Sequence, residues 1–324
     1  MPDRMTDKPV LLQIGQMTAI ILAKLAERFT LVKLGDQPDR AAFLADRGGE
    51  FTAAVTDGHA GLPADVMAAM PNLRVVSSFG VGYDAIDADA AAARGIVVTH
   101  TPDVLNDEVA DTAILLWLAA TRRIVAADHW ARSGKWEREG AFPLTRSAQN
   151  RVVGILGLGR IGQTIARRAE AFNATILYHA RSDKGLDWEY CPDLVDMAAR
   201  SDVLMVITPG GPETRNLVSD AVIRALGPEG ILVNVARGSV VDEPALVKAL
   251  EEGALGGAGL DVFAAEPKIP EALKAMENVV LAPHVGSASV ETRQAMADLT
   301  CENLFRFIED GSVLTPVPEC RGLL

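Results

Sequence analysis

The sequence predicts two α/β domains, each a parallel β-sheet with helices on both faces. Short β-branched runs alternate with alanine-rich stretches along most of the chain, the pattern of successive β–α–β units. A second series of such runs opens at Arg151, after a long interval of helical character. The chain has 324 residues, enough for two ordinary domains with cores of their own.

In the first series the expected strands are Val10–Ile14, Leu31–Leu34, Ala53–Thr56, Leu73–Ser77 and Ile96–Thr99. Helices fall between them, for example over Thr18–Phe29 and Ala85–Arg94. A long apolar helix over about Asp107–Arg122 joins the two series and leads into a polar stretch from Arg132 to Gly140. The second series places strands at Val152–Leu156, Thr175–Tyr178, Val203–Ile207, Ile231–Val235, Gly259–Val262 and Val279–Ala282. A last helix follows over about Ser289–Glu309, and Val313–Val317 then reads as a strap laid on some other surface.

Composition narrows the function classes. An apolar content of 49% with 23% charged residues belongs to a globular chain, not a disordered one. No apolar run approaches the roughly 20 residues that span a bilayer, and the N-terminus lacks the pattern of a signal peptide. A formal net charge of −12 argues against nucleic acid or an anionic membrane as partner. An anionic substrate would then need a few local cations to form its site. Cys191, Cys301 and Cys320 lie far apart without paired spacing, which suits buried or incidental thiols in a reducing cytoplasm.

The strand Val152–Leu156 runs directly into Gly157-Leu158-Gly159-Arg160-Ile161-Gly162, and a helix opens there. This is the dinucleotide fingerprint in its required context. Gly157 permits the tight turn, Gly159 lets backbone approach the pyrophosphate, and Gly162 allows close helix–sheet packing. The helix N-terminus supplies amides and the positive end of its dipole to the phosphates. About 20 residues on, the fingerprint expects a carboxylate for the adenosine ribose. Here the chain reads Tyr178-His179-Ala180-Arg181-Ser182, with no carboxylate at the strand end. Two readings stay open at this turn. Arg181 and Ser182 are groups that a 2′-phosphate wants, which makes NADPH rather than NADH the expected cofactor. Alternatively, Arg181 is a solvated turn residue and Asp183 reaches back to the ribose.

Other segments go beyond a generic nucleotide fold: Ser78–Asp84 (SerPheGlyValGlyTyrAsp), Asn234–Gly238, Gly259–Pro267 and Ala282–Ser287. With the glycine loop they resemble the D-isomer-specific 2-hydroxyacid dehydrogenases over about Thr52 to Pro318, most of all the glyoxylate/hydroxypyruvate and hydroxyphenylpyruvate reductase branches. The resemblance implies a catalytic set of Arg237, Glu266 and His284. Elementary chemistry agrees. Arg237 follows an apolar strand, where open α/β sheets place ligands, and its fork suits a carboxylate and a polarised carbonyl. His284, at another strand end, can give a proton to a developing alkoxide. Glu266 would bind the other ring nitrogen, fix the tautomer and favour the imidazolium. His59, His100, His129 and His179 have no comparable setting and read as surface or satisfied polar residues.

Gly80-Val81-Gly82 can present backbone amides to a carboxylate, and the resemblance assigns substrate binding to Val81 and Gly82. A tight turn needing positive φ explains the same glycines. The resemblance further implies cofactor contacts from Gly157, Gly159, Arg160, Ile161, Gly162, Arg181, Ser182, Val235, Ala236, Arg237, His284 and Gly286. It adds Thr208, Pro209 and Thr214 near the adenosine and Asp261 near the nicotinamide carboxamide. No metal is expected. Leu62 and Phe79 are expected in the pocket wall, with Trp136 or Phe142 reaching it from a partner subunit or serving as interface core.

The implied fold has two Rossmann-like or flavodoxin-like domains. A nucleotide domain over 101–284 is inserted into a discontinuous substrate domain of 1–100 plus 285–324, with the substrate in the cleft and the connecting helices as hinges. The implied activity is hydride transfer from NADPH to C2 of a small 2-oxo acid, glyoxylate or hydroxypyruvate first, giving the D-2-hydroxy acid in a cytoplasmic homodimer. Hydroxyphenylpyruvate or another 2-oxo acid is the alternative substrate. A non-catalytic NAD(P)H-sensing protein is the alternative class, disfavoured by a chain that stops at Leu324 without an interaction tail.

Overall fold

In a computed structural model that describes Lys8–Leu324, the chain divides into two compact units. One holds the residues up to Leu105 together with Ser289–Leu324, and the other is Asn106–Ala288. Both divisions fall a few residues beyond the expected 100/101 and 284/285. At the first, the Thr101 amide donates to the Gly80 carbonyl (2.9 Å) and keeps that segment with the first unit. At the second, the Val285 and Gly286 amides are bound by Asp261 and stay with the other unit.

The first unit contains β1 (Val10–Gln13), β2 (Thr30–Lys33), β3 (Ala53–Asp57), β4 (Val75–Phe79) and β5 (Val97–Thr99), in the order β2-β1-β3-β4-β5. Every pairing is parallel, and the order is that of flavodoxin-like sheets. β4 is shifted two residues later than expected, because the Arg74 amide is still engaged by the Thr52 carbonyl and pairing with β3 starts at Val75. The helix Val290–Asp310 returns the chain to this unit. The strap then runs antiparallel beside β5: the Val317 amide donates to Val98 and the His100 amide to Thr315. Asn303 fixes the approach, its side-chain oxygen accepting from the Leu314 and Thr315 amides.

The second unit contains β6 (Val152–Leu156), β7 (Thr175–His179), β8 (Glu189–Tyr190), β9 (Val203–Val206), β10 (Ile231–Asn234), β11 (Gly257–Leu260) and β12 (Val279–Leu281). Their order, β12-β11-β10-β9-β6-β7-β8, is the doubly wound arrangement with its reversal between β6 and β9. The strands are buried on both faces: Val153, Ile155, Leu204, Val206, Leu232 and Val233 are inaccessible to solvent. The helix Asn106–Thr121 lies within this unit and buries Val109, Ala113, Leu116 and Trp117. The two-residue strand β8 carries too little apolar pattern to be read from sequence. The polar stretch after Arg132 is a short helix, Lys135–Glu139, whose residues are all half-buried or exposed.

A second expected strand is displaced. The segment read as Gly259–Val262 is strand only as Gly257–Leu260, because β10 and β12 pair with it only as far as Leu260. Asp261 and Val262 therefore lie past the sheet edge. None of the described helices is long and apolar enough to cross a membrane.

Candidate active site

Parallel register brings the critical segments of the second unit to one edge of its sheet. Leu156 is level with Val206 and His179, Val206 with Asn234, Asn234 with Leu260, and Leu260 with Leu281. The residues after these positions are the glycine loop, Thr208, Arg237, Asp261 and His284. In a doubly wound sheet this carboxyl edge at the strand reversal is where ligands bind.

The glycine loop has the geometry its spacing predicts. Gly157 has φ +101°, in the left-handed region where a side chain is strained. A Cβ on Gly162 would lie 2.1 Å from the Gly157 carbonyl oxygen, so helix and loop could not approach as they do. Gly159 is exposed and a Cβ there would meet nothing within 4 Å. It is also the N-cap of the helix Arg160–Glu170 and contributes no capping side chain. The 11-residue helix thus starts from an exposed glycine with no capping side chain, a cradle that fits a pyrophosphate. Farther along the edge, the Thr214 hydroxyl donates to the Pro209 carbonyl (2.8 Å) and closes the loop that contains Thr208.

At the end of β7, Ala180 is half-buried and Arg181 and Ser182 are exposed. Asp183 is held by a side chain of β7 and by its own turn. Its Oδ1 accepts from the Tyr178 hydroxyl (2.5 Å) and the Gly185 amide (2.9 Å). The Tyr178 bond holds this carboxyl below its usual range.

Arg237 leaves β10 through a loop shaped by Asn234. The Asn234 side chain accepts from the Ala236 amide (3.0 Å) and donates to the Arg237 carbonyl (3.0 Å). Val235 and Ala236 are buried beneath it, and Arg237 itself is half-buried with Nη1 on the Ala236 carbonyl (2.8 Å). Asn234 thus shapes the loop that carries Arg237, a part the sequence left unassigned. The signal available was an amide side chain ending an apolar strand, where it can satisfy loop backbone.

His284 and Glu266 meet directly. His284 Nδ1 lies 2.8 Å from Glu266 Oε2, and Glu266 Oε1 accepts from the Phe263 amide (2.9 Å). A carboxylate only accepts, so in this pair Nδ1 is the donor. Glu266 is mostly buried, with its side chain 18% exposed, so the ring is oriented from the protein side. His284 has φ +54°, uncommon for a residue with a side chain. Such backbone persists only where its surroundings over-determine it. Asp261 does this: its carbonyl accepts from the His284 amide (2.9 Å), its Oδ1 from Val285 (2.7 Å) and its Oδ2 from Gly286 (2.8 Å).

Asp261 is 2% exposed, and burial pushes its carboxyl above the usual range against the opposing pull of the two amides. Asparagine there can accept from one amide but must turn its NH2 toward the other. Asp261→Asn should therefore lower stability by about 1–3 kcal/mol, the cost of a buried donor left unpaired. A reduced urea midpoint at unchanged m value would register it, and an unchanged midpoint would refute it.

In the first unit, Gly80-Val81-Gly82 forms the turn after β4, with Gly80 at φ +158°. The Val81 carbonyl lies 2.9 Å from His100 Nδ1. Leu62 and Phe79, expected in a pocket wall, are 2% and 7% exposed within this unit. Leu62 forms a backbone bridge to Ile86, and the Phe79 ring lies under the Arg293 guanidinium at 5.4 Å. Of the other histidines, His179 places Nδ1 2.9 Å from the Cys191 carbonyl, while His59 and His129 are exposed. The three cysteines are free and buried.

Comparison with known proteins agrees with this arrangement. The family model for the NAD-binding domain of D-isomer-specific 2-hydroxyacid dehydrogenases matches residues 114–286. The chain is 47% identical over 307 residues to a glyoxylate/hydroxypyruvate reductase A of Arabidopsis thaliana, covering 94% of this chain and 98% of that one. It is also 47% identical, with the same coverage, to a hydroxyphenylpyruvate reductase of Plectranthus scutellarioides. Among solved structures, the NADPH-dependent glyoxylate/hydroxypyruvate reductase of Sinorhizobium meliloti in complex with NADP and malonate superposes with a TM-score of 0.91. It shares 50% identity over 97% of this chain and 98% of its own. A doubly wound sheet with a fingerprint loop, an Arg–Glu–His set on its carboxyl edge and this likeness over nearly the whole length have one meaning: the chain belongs to the D-isomer-specific 2-hydroxyacid dehydrogenase family.

Proposed function

We propose that this protein reduces small 2-oxo acids, glyoxylate and hydroxypyruvate foremost, to D-2-hydroxy acids with NADPH. The observation that carries the reading is the Glu266–His284 pair, 2.8 Å apart, on the same sheet edge as Arg237 and the fingerprint loop. The named activities of the relatives at 47% identity support it. When bound, the reduced nicotinamide supplies the hydride. Arg237 pairs with the substrate carboxylate and draws electron density toward the C2 oxygen. His284, in its imidazolium form with Nδ1–H on Glu266, gives the Nε2 proton to that oxygen as charge develops and is left neutral. The amides of Val81 and Gly82 are assigned to substrate binding. On this reading the second unit binds the nucleotide and carries Arg237, Glu266 and His284.

Gly157, Gly159, Arg160, Ile161 and Gly162 would hold the pyrophosphate at the helix N-terminus, and Arg181 and Ser182 the 2′-phosphate. Thr208, Pro209 and Thr214 would line the adenosine. Val235, Ala236, Asp261 and Gly286 would shape the nicotinamide end together with Arg237 and His284. The parking of Asp183 on Tyr178 favours the phosphate reading of this turn over the ribose-carboxylate one.

The oligomer is assigned as a homodimer in the cytoplasm. Leu115, Ile124, Val125, Trp136 and Leu144 are all more than half exposed along one stretch of the second unit, apolar surface that a second copy would cover. Three free cysteines suit a reducing compartment.

Initial rates with glyoxylate, hydroxypyruvate and hydroxyphenylpyruvate, each with NADPH and NADH, test the proposal. NADPH should be preferred at least about tenfold in kcat/KM, since a charge-assisted hydrogen bond contributes about 1.5–3 kcal/mol. Arg181→Ala should remove that preference while barely changing NADH, and Ala180→Asp should tilt it toward NADH. Equal efficiency with both cofactors would reduce Arg181 to a surface residue. Highest efficiency with hydroxyphenylpyruvate would reassign the substrate, and no turnover at micromolar enzyme would leave a binding protein.

A further inference from the structure

A strand end without a carboxylate is not the whole of the chemistry at the β7 turn, because Asp183 stands three residues after Ala180. Tyr178, the penultimate residue of β7, is inaccessible to solvent. Its hydroxyl donates to Asp183 Oδ1 at 2.5 Å and accepts from the Lys184 amide at 2.9 Å. The Gly185 amide donates to the same carboxylate oxygen at 2.9 Å. Tyr190, paired with Tyr178 across β7 and β8, packs its ring against it with centroids 5.4 Å apart. The Tyr190 hydroxyl donates to the Ala180 carbonyl at 3.3 Å. Two packed rings therefore grip the turn at Ala180, Asp183 and Lys184, while Arg181 and Ser182 between them stay exposed.

We propose that Tyr178 is a specificity-determining positioning residue, whose hydroxyl keeps the Asp183 carboxylate off the 2′-phosphate position formed by Arg181 and Ser182. The inference rests on the reading of that position given above. Burial foremost, and Asp183 next, push the Tyr178 phenol above its ordinary range, so it stays protonated and able to donate. Asp183, held low by that bond, keeps its negative charge at neutral pH. An anion loose in this turn would accept from ribose hydroxyls, repel a phosphate and compete for Arg181. Tied down, it does none of these, and the exposed cation is left to the cofactor.

Dissociation constants of the full chain for NADP+ and NAD+ test this in the parent, Tyr178→Phe, Asp183→Asn and the double variant. Tyr178→Phe should weaken NADP+ roughly two- to fivefold, the range for exposed charge interactions, and leave NAD+ unchanged or tighter. The double variant should regain parental NADP+ affinity, because the freed side chain then has no charge. Asp183→Asn alone should stay within about twofold of the parent for NADP+, the charge there being already parked. Equal weakening of both cofactors by Tyr178→Phe, no change at all, or a double variant as weak as Tyr178→Phe would each overturn the proposal. A large gain in NADP+ affinity from Asp183→Asn alone would do so too, and that variant keeps the ring pair intact. A parent that binds both cofactors equally would sink the NADPH reading itself. A parent that prefers NADP+ with a ratio unmoved by Tyr178→Phe would sink only the role of Tyr178.

Discussion

His284→Gln is expected to lower kcat by about 10²–10⁴ and to leave cofactor affinity near the parental value, the usual worth of a positioned proton donor. Glutamine retains a polar end of similar reach, but its amide has no proton to give at any working pH. The loss should fall on kcat more than on KM, since protonation matters as charge appears on oxygen and little before. Backbone strain has to be kept apart from chemistry, because residue 284 adopts φ +54°. His284→Asn serves as the control: asparagine tolerates this region better than most residues and cannot transfer a proton either. Both variants should therefore be comparably slow, with stability differing between them by about 1 kcal/mol at most. Near-parental turnover in either would mean that another group is the acid. The Glu266 contact to Nδ1 would then be a structural pair.

Arg237→Ala should reduce kcat/KM by about 10²–10⁴, divided between KM and kcat. On the proposed reading, a bidentate charge-assisted contact to the substrate carboxylate would contribute in the ground state, and density drawn toward the carbonyl oxygen only in the transition state. Each part is about 1.5–3 kcal/mol for a hydrogen bond to a charged group, which sets that span. Arg237→Lys should recover the ground-state part better than the other. Lysine keeps the charge, but not the planar fork that can address two oxygens together. The loop should remain in place in both variants, because Asn234 anchors it through backbone groups at Ala236 and Arg237. Steady-state kinetics with glyoxylate and NADPH would show the division. A change confined to KM would assign Arg237 to binding alone, and unchanged kinetics would remove it from the site.

By itself the sequence determined the two α/β series, the fingerprint loop and the positions of Arg237, Glu266 and His284 near strand ends. These features are legible because their physics is local. Fully buried parallel strands must be continuous apolar runs, and a phosphate-binding turn needs glycines at fixed spacing. Most strand ends stayed within one or two residues of expectation for the same reason.

What tertiary structure decided depends on contacts between residues distant in the chain. The halt of β11 at Leu260 follows from pairing on both sides, and it makes Asp261 a buried anchor for the amides of Val285 and Gly286. That anchor, 24 and 25 residues from its partners, imposes the left-handed backbone of His284, which no local pattern announces. The partner of Asp183 at the β7 turn was likewise invisible in sequence, where that carboxylate could as well have faced the ribose. It is the hydroxyl of the buried strand residue Tyr178, and only folding determines which side chain a buried donor meets.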